Sequence, residues 1–282
     1  MRVSYLYGLV QLARPVNGLI TWASVTVGAL LPAHSSRPGP ILLAGLSAAF
    51  VASGGNAIND YFDADIDRIN KPHRPIPSGR VPRETAFVWA AVLCAAGLSI
   101  AGPLGPVMFS VAVAATALLV IYSWKLKRKP YWGNATVSIT AALAFLYGGI
   151  VVSNPVPALV PAGFALLFHF GRELIKDVED MAADATVSAQ TAPVRHGRTT
   201  ALAVATGALG LLVGVTLCPY FFGLYGSAYL FIVLLGVDPV LVYVILALWR
   251  NSTAASLARL SLVLKADMSV GLLALILGKM LR

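Results

Sequence analysis

Asp60, Asp63 and Asp67 recur 117 positions later as Asp177, Asp180 and Asp184, in a chain where charge is scarce. The first run reads Asn56-Ala-Ile-Asn59-Asp60-Tyr-Phe-Asp63-Ala-Asp65-Ile-Asp67. On a helix turning about 100° per residue, Asn56, Asp60, Asp63 and Asp67 fall within about 60° of one another. Asn59 sits at the margin of that face and Asp65 points away. The second copy puts Glu173, Asp177, Asp180 and Asp184 on an equivalent face, with Lys176 in the place of Asn59. Carboxylates stacked at this spacing repel one another, and a cation among them relieves the repulsion. A hard divalent ion held by oxygen ligands meets that need, usually Mg²⁺ when phosphates share the site. One such motif could be a solvated helix end. Two copies in register argue for a site.

Basic residues lie nearby in sequence. Arg74-Pro-Ile-Pro-Ser-Gly-Arg80 follows the first acidic run, Pro193-Val-Arg195-His-Gly-Arg198 follows the second, and Lys125-Leu-Lys127-Arg128-Lys129 lies between them. Each alone reads as a topology signal or a lipid-headgroup contact. Together with the acids they describe a pocket of both signs, in which metal neutralises one side of a diphosphate and fixed cations cradle the other. Neither His34, His73, His169 nor His196 has a ligand partner at helical spacing; His34 belongs to a loop on the far side, and His169 stands two turns before Asp177. Cys94 and Cys218 lie far apart in apolar blocks and read as small core residues.

The elements that must position these groups are membrane helices. Of 282 residues 58% are hydrophobic and 12% charged, too few charges to cover a soluble domain, which carries roughly 25%. The apolar residues fall in blocks of about 20, the length that crosses a hydrocarbon core as a helix. Nine spans are expected, near 16–34, 40–60, 84–102, 105–124, 134–153, 157–177, 199–217, 227–249 and 263–281. Asp238-Pro239 interrupts the eighth near its middle, where a buried Asp could bond to backbone groups that the proline frees. Of 21 Lys and Arg residues only Arg37, Lys279 and Arg282 fall in the loops on one side. By the positive-inside rule the N-terminus and the charged loops are cytoplasmic, in the cell membrane. The net charge of +9 therefore reports orientation rather than nucleic-acid binding, and no obligate protein partner is evident. Gly54 and Gly171 share the 117-residue offset, while Pro75 and Gly79 match Pro193 and Gly197 at 118. The expected architecture is thus all-α: two parallel four-helix repeats, about 14–130 and 131–250, plus one helix, forming one membrane-embedded domain over 1–282.

These residues resemble the UbiA superfamily of intramembrane prenyltransferases. The likeness rests on Asn-Asp-x-x-Asp-x-x-x-Asp at Asn59 to Asp67, on Asp-x-x-Asp-x-x-x-Asp at Asp177 to Asp184, and on Asp67-Arg-Ile-Asn-Lys-Pro-His-Arg74-Pro-Ile-Pro-Ser-Gly79. It is strongest for the branch that builds archaeal-type ether lipids. Tyr122 and Lys125 match the family's diphosphate-contacting tyrosine and lysine, and Arg14-Pro-Val-Asn17 resembles its polar approach to the first helix. The segment after Asp184, residues 185–194, departs from that branch in carrying no charge.

The resemblance implies a mechanism. Asn59, Asp63 and Asp67 hold one Mg²⁺, and Asp180 and Asp184, with Asp177 nearby, hold a second. Asp63, Asp67, Asp180, Asp184 and Lys125 are the catalytic candidates. Arg14, Asn17, Asn56, Arg74, Tyr122, Lys125 and Lys176 are the candidates for substrate binding. A prenyl diphosphate ionises to an allylic cation, and a lipid hydroxyl, that of geranylgeranylglyceryl phosphate, attacks it. An aromatic acceptor, as in quinone or chlorophyll-type pigment synthesis, is the alternative. A cation-coupled transporter would place its acids near mid-membrane, and only Asp238 fits that pattern. A CDP-alcohol phosphotransferase would need an Asp-Gly…Ala-Arg run that is missing here.

Overall fold

The structure is a computed structural model that describes residues 2–32 and 37–282. His34 and the end of the first expected span lie outside the described residues. Every regular element among those described is helical. In chain order these are α1 (Arg2–Ala13), α2 (Pro15–Leu30), α3 (Pro38–Phe62), α4 (Ala64–Asn70), α5 (Arg83–Ala101), α6 (Pro106–Ile121) and α7 (Trp132–Val151). Then follow α8 (Leu159–Thr186), α9 (Ala192–His196), α10 (Arg198–Thr216), α11 (Cys218–Phe221), α12 (Ser227–Ile232), α13 (Asp238–Arg250) and α14 (Ala254–Met280). Two π turns, Tyr122–Leu126 and Val233–Val237, widen the ends of α6 and α12.

Eight helical segments among the described residues are long and apolar enough to cross a membrane. The remaining expected span corresponds to α2, whose 16 residues end shortly before the segment outside the description. The protein is a multi-pass membrane protein. Proline at the first turn opens α2, α3 and α6, where its fixed φ suits a helix start and its missing N–H costs nothing. Large apolar side chains such as Val88, Phe231 and Leu235 are exposed along the spans, as expected of surfaces that face lipid.

The chain divides into two compact units, Met1–Lys127 with Leu143–Pro155, and Arg128–Ala142 with Val156–Arg282; the division falls within α7. In the first unit Leu12, Ala57, Ile58, Val81, Ala86 and Ala90 form a core beneath the first acidic run. In the second, Leu174, Ile175 and Val178 of α8 pack with Leu209, Leu241 and Leu264 beneath the second. Without a hydrophobic driving force between helices in lipid, such packing relies on close approach at small residues. Gly54 is one: a side-chain carbon there would come within 3.0 Å of the Ala90 carbonyl oxygen and the Cys94 amide nitrogen on α5. Gly171, 117 residues later, lies against Leu209 of α10 in the same manner, at 2.8 Å.

Two local features differ from the sequence expectation. The first acidic run does not lie on one continuous helix: α3 ends at Phe62, Asp63 occupies a turn, and α4 begins at Ala64. Hydrogen bonds from Asp63 N to Asn59 O (2.9 Å) and from Asp67 N to Asp63 O (2.8 Å) carry the helical spacing across the break. The face is therefore bent rather than lost. The second run does lie on one helix, α8. At the eighth span, the Asp238 carboxylate accepts a hydrogen bond from the Thr216 hydroxyl instead of bonding freed backbone. A proline frees a carbonyl, which needs a donor, and a carboxylate can only accept.

The close approach at Gly54 yields a prediction. Gly54→Val should destabilise the detergent-solubilised protein by about 1–3 kcal/mol, the usual range for overpacking. Gly163, where a side-chain carbon would meet nothing within 4 Å, serves as the control, and thermal unfolding of Gly163→Ala should match the parent or exceed it.

Candidate active site

The first acidic set is built at the bend between α3 and α4. Asp60 lies in the last turn of α3, Asp63 is the turn residue with φ −85° and ψ −2°, and Asp67 lies in α4. All three are buried, at 5%, 6% and 4% exposure, and each carboxylate is met by a cation. Arg14 pairs with Asp60. Arg74 bridges the set, with Nη1 3.2 Å from Asp60 Oδ1 and 2.6 Å from Asp67 Oδ2. Lys127 pairs with Asp63. Three acids thus face three bases. Asp65 is exposed and pairs with Arg68 and Arg83, each at 3.1 Å.

Each cation is delivered by an unusual piece of backbone. Arg14 takes the left-handed conformation, φ 48° and ψ 67°, at the junction of α1 and α2; it precedes Pro15, and a residue before proline is disfavoured in the right-handed helical region. Arg74 sits in the loop after α4, held by bonds from Arg74 N to Lys71 O (2.9 Å) and from Ser78 N to Arg74 O (3.0 Å). The loop closes with Val81 N on Pro75 O at 3.0 Å, and Val81 is fully buried. Gly79 in this loop has φ 72°, and Gly197 after the second acidic run has φ 86°. Both occupy a conformation that only glycine enters cheaply. Lys127 follows the π turn, its amide bonding Tyr122 O at 2.9 Å.

Burial pushes the Asp67 carboxyl above the ordinary carboxylate range; Arg74 opposes the shift, while Asp63 and Asp60 add to it. For Arg74 burial works against the charge, but Asp60, Asp67 and Asp63 outweigh it and hold the guanidinium more firmly protonated. Lys127 follows the same logic: burial opposes its charge and Asp63 more than compensates.

The second set is furnished differently. Asn134 Nδ2 donates to Asp177 Oδ2 at 2.7 Å, and Thr191 Oγ1 donates to Asp184 Oδ2 at 3.1 Å. Asp180 is half-buried on the same helix. Glu173 is engaged by Lys176 at 2.7 Å and by Arg172 at 3.2 Å. That network ties Lys176, expected to meet substrate, to its own helix.

Of the other residues singled out, Asn56 donates to Ala13 O at 3.5 Å. Asn17 lies in the first turn of α2, with its amide on Arg14 O at 2.8 Å. Tyr122 opens the π turn. Lys125 is exposed and lies over the Trp124 ring, 5.7 Å from its centroid. The lysine brought to the acids of the first unit is Lys127. A π turn adds a residue to the helical turn, so positions beyond it leave the face that regular α-helical spacing assigns. Asn134 was legible by another route. It stands 117 residues after Asn17, and Asp177 stands 117 after Asp60. The same offset joins Arg14 to Tyr131, the second left-handed residue before a helix, with φ 64°.

The donor set suits Mg²⁺ by chemistry, being carboxylate and amide oxygens. Asn59 Nδ2 is buried without a hydrogen-bond partner; as a donor it calls for an acceptor such as a phosphate oxygen, and only the amide oxygen could meet a metal. Among the described residues no three acidic, His or Cys side chains converge on one point. In the first set the carboxylates are turned onto Arg14, Arg74 and Lys127.

These features define a class: a helical multi-pass membrane protein with acid-rich, cation-laden helix ends. Residues 21–266 match the profile of the UbiA prenyltransferase family. The chain belongs to that family. It is 38% identical over 264 residues to the digeranylgeranylglyceryl phosphate synthase of Methanopyrus kandleri, covering 94% of this chain and 96% of that one. A solved structure concerning digeranylgeranylglyceryl phosphate synthase in membranes superposes with a TM-score of 0.78 at 30% identity, over 99% of each chain. A UbiA homolog from Archaeoglobus fulgidus, bound to GPP and Mg²⁺, shares the fold with a TM-score of 0.70 at 20% identity, over 95% of this chain and 99% of that one.

The geometry around Asp63 separates the two lysines. Lys127→Met strands a buried carboxylate and should cost about 1–3 kcal/mol in thermal unfolding. Lys125→Met removes an exposed contact and should cost about 0.5 kcal/mol or less. Equal effects would show that the Asp63–Lys127 pair contributes nothing.

Proposed function

We propose that this chain transfers a geranylgeranyl group from its diphosphate to the free hydroxyl of geranylgeranylglyceryl phosphate, forming the second ether bond of an archaeal-type lipid. The observation that carries this reading is the buried set Asp60, Asp63 and Asp67 with Arg14, Arg74 and Lys127 upon it. Acids able to hold a divalent cation, beside bases able to hold phosphate oxygens, match the two sides of a metal-bound diphosphate. The names of the relatives support the choice of acceptor.

In this reading Asn59, Asp63 and Asp67 in the first unit, and Asp177, Asp180 and Asp184 in the second, are the residues that would hold Mg²⁺. Bound there, Mg²⁺ supplies Lewis-acid stabilisation of the charge that develops on the leaving diphosphate. The rest falls to the chain. Arg14, Arg74 and Lys127 turn from carboxylate to phosphate oxygens, charge-assisted bonds of equal strength in either state. Because one charge-assisted bond replaces another, that exchange costs little and is complete once substrate is bound, before the transition state forms. Tyr122 and Lys125, with Asn17, Asn56 and Lys176, are assigned to the substrate by the family resemblance. The apolar spans take the prenyl tail and exclude water, which would otherwise quench the allylic cation. The carbon–oxygen bond to diphosphate breaks first, leaving the allylic cation; the acceptor oxygen then bonds the prenyl carbon, and its proton passes to the released diphosphate or to a carboxylate of the site. The acid-bearing ends and the N-terminus face the cytoplasm, because the loops beside them carry the Lys and Arg excess.

Two outcomes test this. Asp63→Ala and Asp184→Ala should each lower Mg²⁺-dependent prenyl transfer by at least about 10²-fold, in line with loss of a charge-stabilising group, while circular dichroism and detergent elution stay those of the parent. Near-normal turnover in both would remove the metal assignment. Offered geranylgeranyl diphosphate with lipid and phenolic acceptors together, the protein should yield digeranylgeranylglyceryl phosphate as the main product by mass spectrometry. A prenylated phenol as the main product would assign the aromatic acceptor instead.

A further inference from the structure

Two carboxyls in the second unit lie far from either acidic set in sequence, and the proposed reaction does not use them. Asp238 stands midway along the span Ser227–Arg250, and Asp267 midway along Ala254–Met280. Both are more than nine-tenths buried, at 7% and 4% exposure. Among the described residues no lysine or arginine pairs with either.

Asp238 is only partly satisfied. Thr216 Oγ1 lies 3.0 Å from its Oδ1 and 3.2 Å from its Oδ2, and 2.8 Å from Val213 O as well. One hydroxyl proton cannot serve three acceptors. Tyr229 directs its hydroxyl to Thr216 O at 2.6 Å rather than to the carboxylate. Asp267 is the independent observation: both of its carboxyl oxygens are buried and neither has a hydrogen-bond partner. The helix that opens at Asp238 packs against the one that carries Asp267.

The backbone beside them is irregular. The π turn Val233–Val237 ends on a bond from Asp238 N to Val233 O. Pro239, next in sequence, has no N–H, so a carbonyl one turn back loses its donor. Gly236 in that turn faces Asp267's helix: a side-chain carbon there would come within 3.0 Å of Val270 Cγ1, three residues beyond Asp267. The π turn and Asp267 therefore share one helix interface. Carboxylates at this depth are kept only where something compensates them, and interrupted helices with released carbonyls are the usual way a membrane protein coordinates a small cation.

We propose that Asp238 and Asp267, sharing one proton between them so that the pair carries a single negative charge, hold with a main-chain carbonyl released at the π turn one monovalent cation of the Na⁺ class within the membrane-spanning part of the second unit. A divalent ion fits poorly. Mg²⁺ keeps several waters and Ca²⁺ takes six to eight oxygens, whereas this site is apolar around a few oxygens. The cost of dehydrating an ion also rises with the square of its charge.

The test is thermal unfolding of the full-length protein in detergent, with Na⁺ varied from about 1 to 300 mM against choline at constant ionic strength. A ligand that binds only the folded state raises its stability with concentration, so the midpoint should climb by about 3–5 °C with Na⁺ and stay level in choline. Asp267→Asn should abolish the Na⁺ dependence while prenyl transfer stays within about twofold of the parent, since no part of the proposed reaction passes through it. Asp238→Asn provides the same reading should the first variant not fold. A midpoint indifferent to Na⁺ in the unaltered protein would overturn the site. So would a Na⁺ response undiminished in both variants, or a response to Ca²⁺ alone.

Discussion

A carboxylate taken out of water must be given a positive partner, and three of them close together must be given several. That constraint shapes the first unit. Asp60, Asp63 and Asp67 sit buried at the end of a membrane helix, where mutual repulsion adds to the cost of desolvation. Arg14, Arg74 and Lys127 meet them from three separate stretches of chain. The left-handed junction before Pro15, the loop closed over Val81 and the π turn at Tyr122–Leu126 each bring one of those cations to the acids. Irregular backbone is expensive in a membrane protein, and here each irregularity has a charge to deliver.

The second unit answers a similar acid pattern with different groups. Asn134 and Thr191 donate to Asp177 and Asp184, while Glu173 is drawn into a network with Lys176 and Arg172. At the position corresponding to Arg14 stands Tyr131, stacked on His196 at 5.6 Å. Arg14 and Tyr131 therefore share a backbone conformation but not an electrostatic role, while Asp63 and its counterpart Asp180 differ in backbone as well.

The fold class and the acidic residues were plain in the sequence because each rests on a strong local signal. Apolar blocks of spanning length declare helices, and acids in an apolar chain stand out. The 117-residue offset carries further information: applied to Asn17 it points to Asn134. Other features had no such signal. The break at Asp63 interrupts a run whose spacing is helical throughout. The selection of Lys127 over Lys125 depends on a π turn that composition does not announce. Thr191 reaches Asp184 only because Ser188 takes φ 55° and the chain doubles back, with Gln190 N on Arg128 O at 3.0 Å. These depend on contacts between segments distant in sequence, which periodicity does not register.

We propose that the acids bind a diphosphate through metal. Equilibrium binding of geranylgeranyl thiolodiphosphate, an analogue that resists ionisation, tests it most directly on the purified protein. With Mg²⁺ present the analogue should bind, and replacing Mg²⁺ with EDTA should weaken it by at least about tenfold, or roughly 1.4 kcal/mol. Equal affinity with and without the metal would contradict the account.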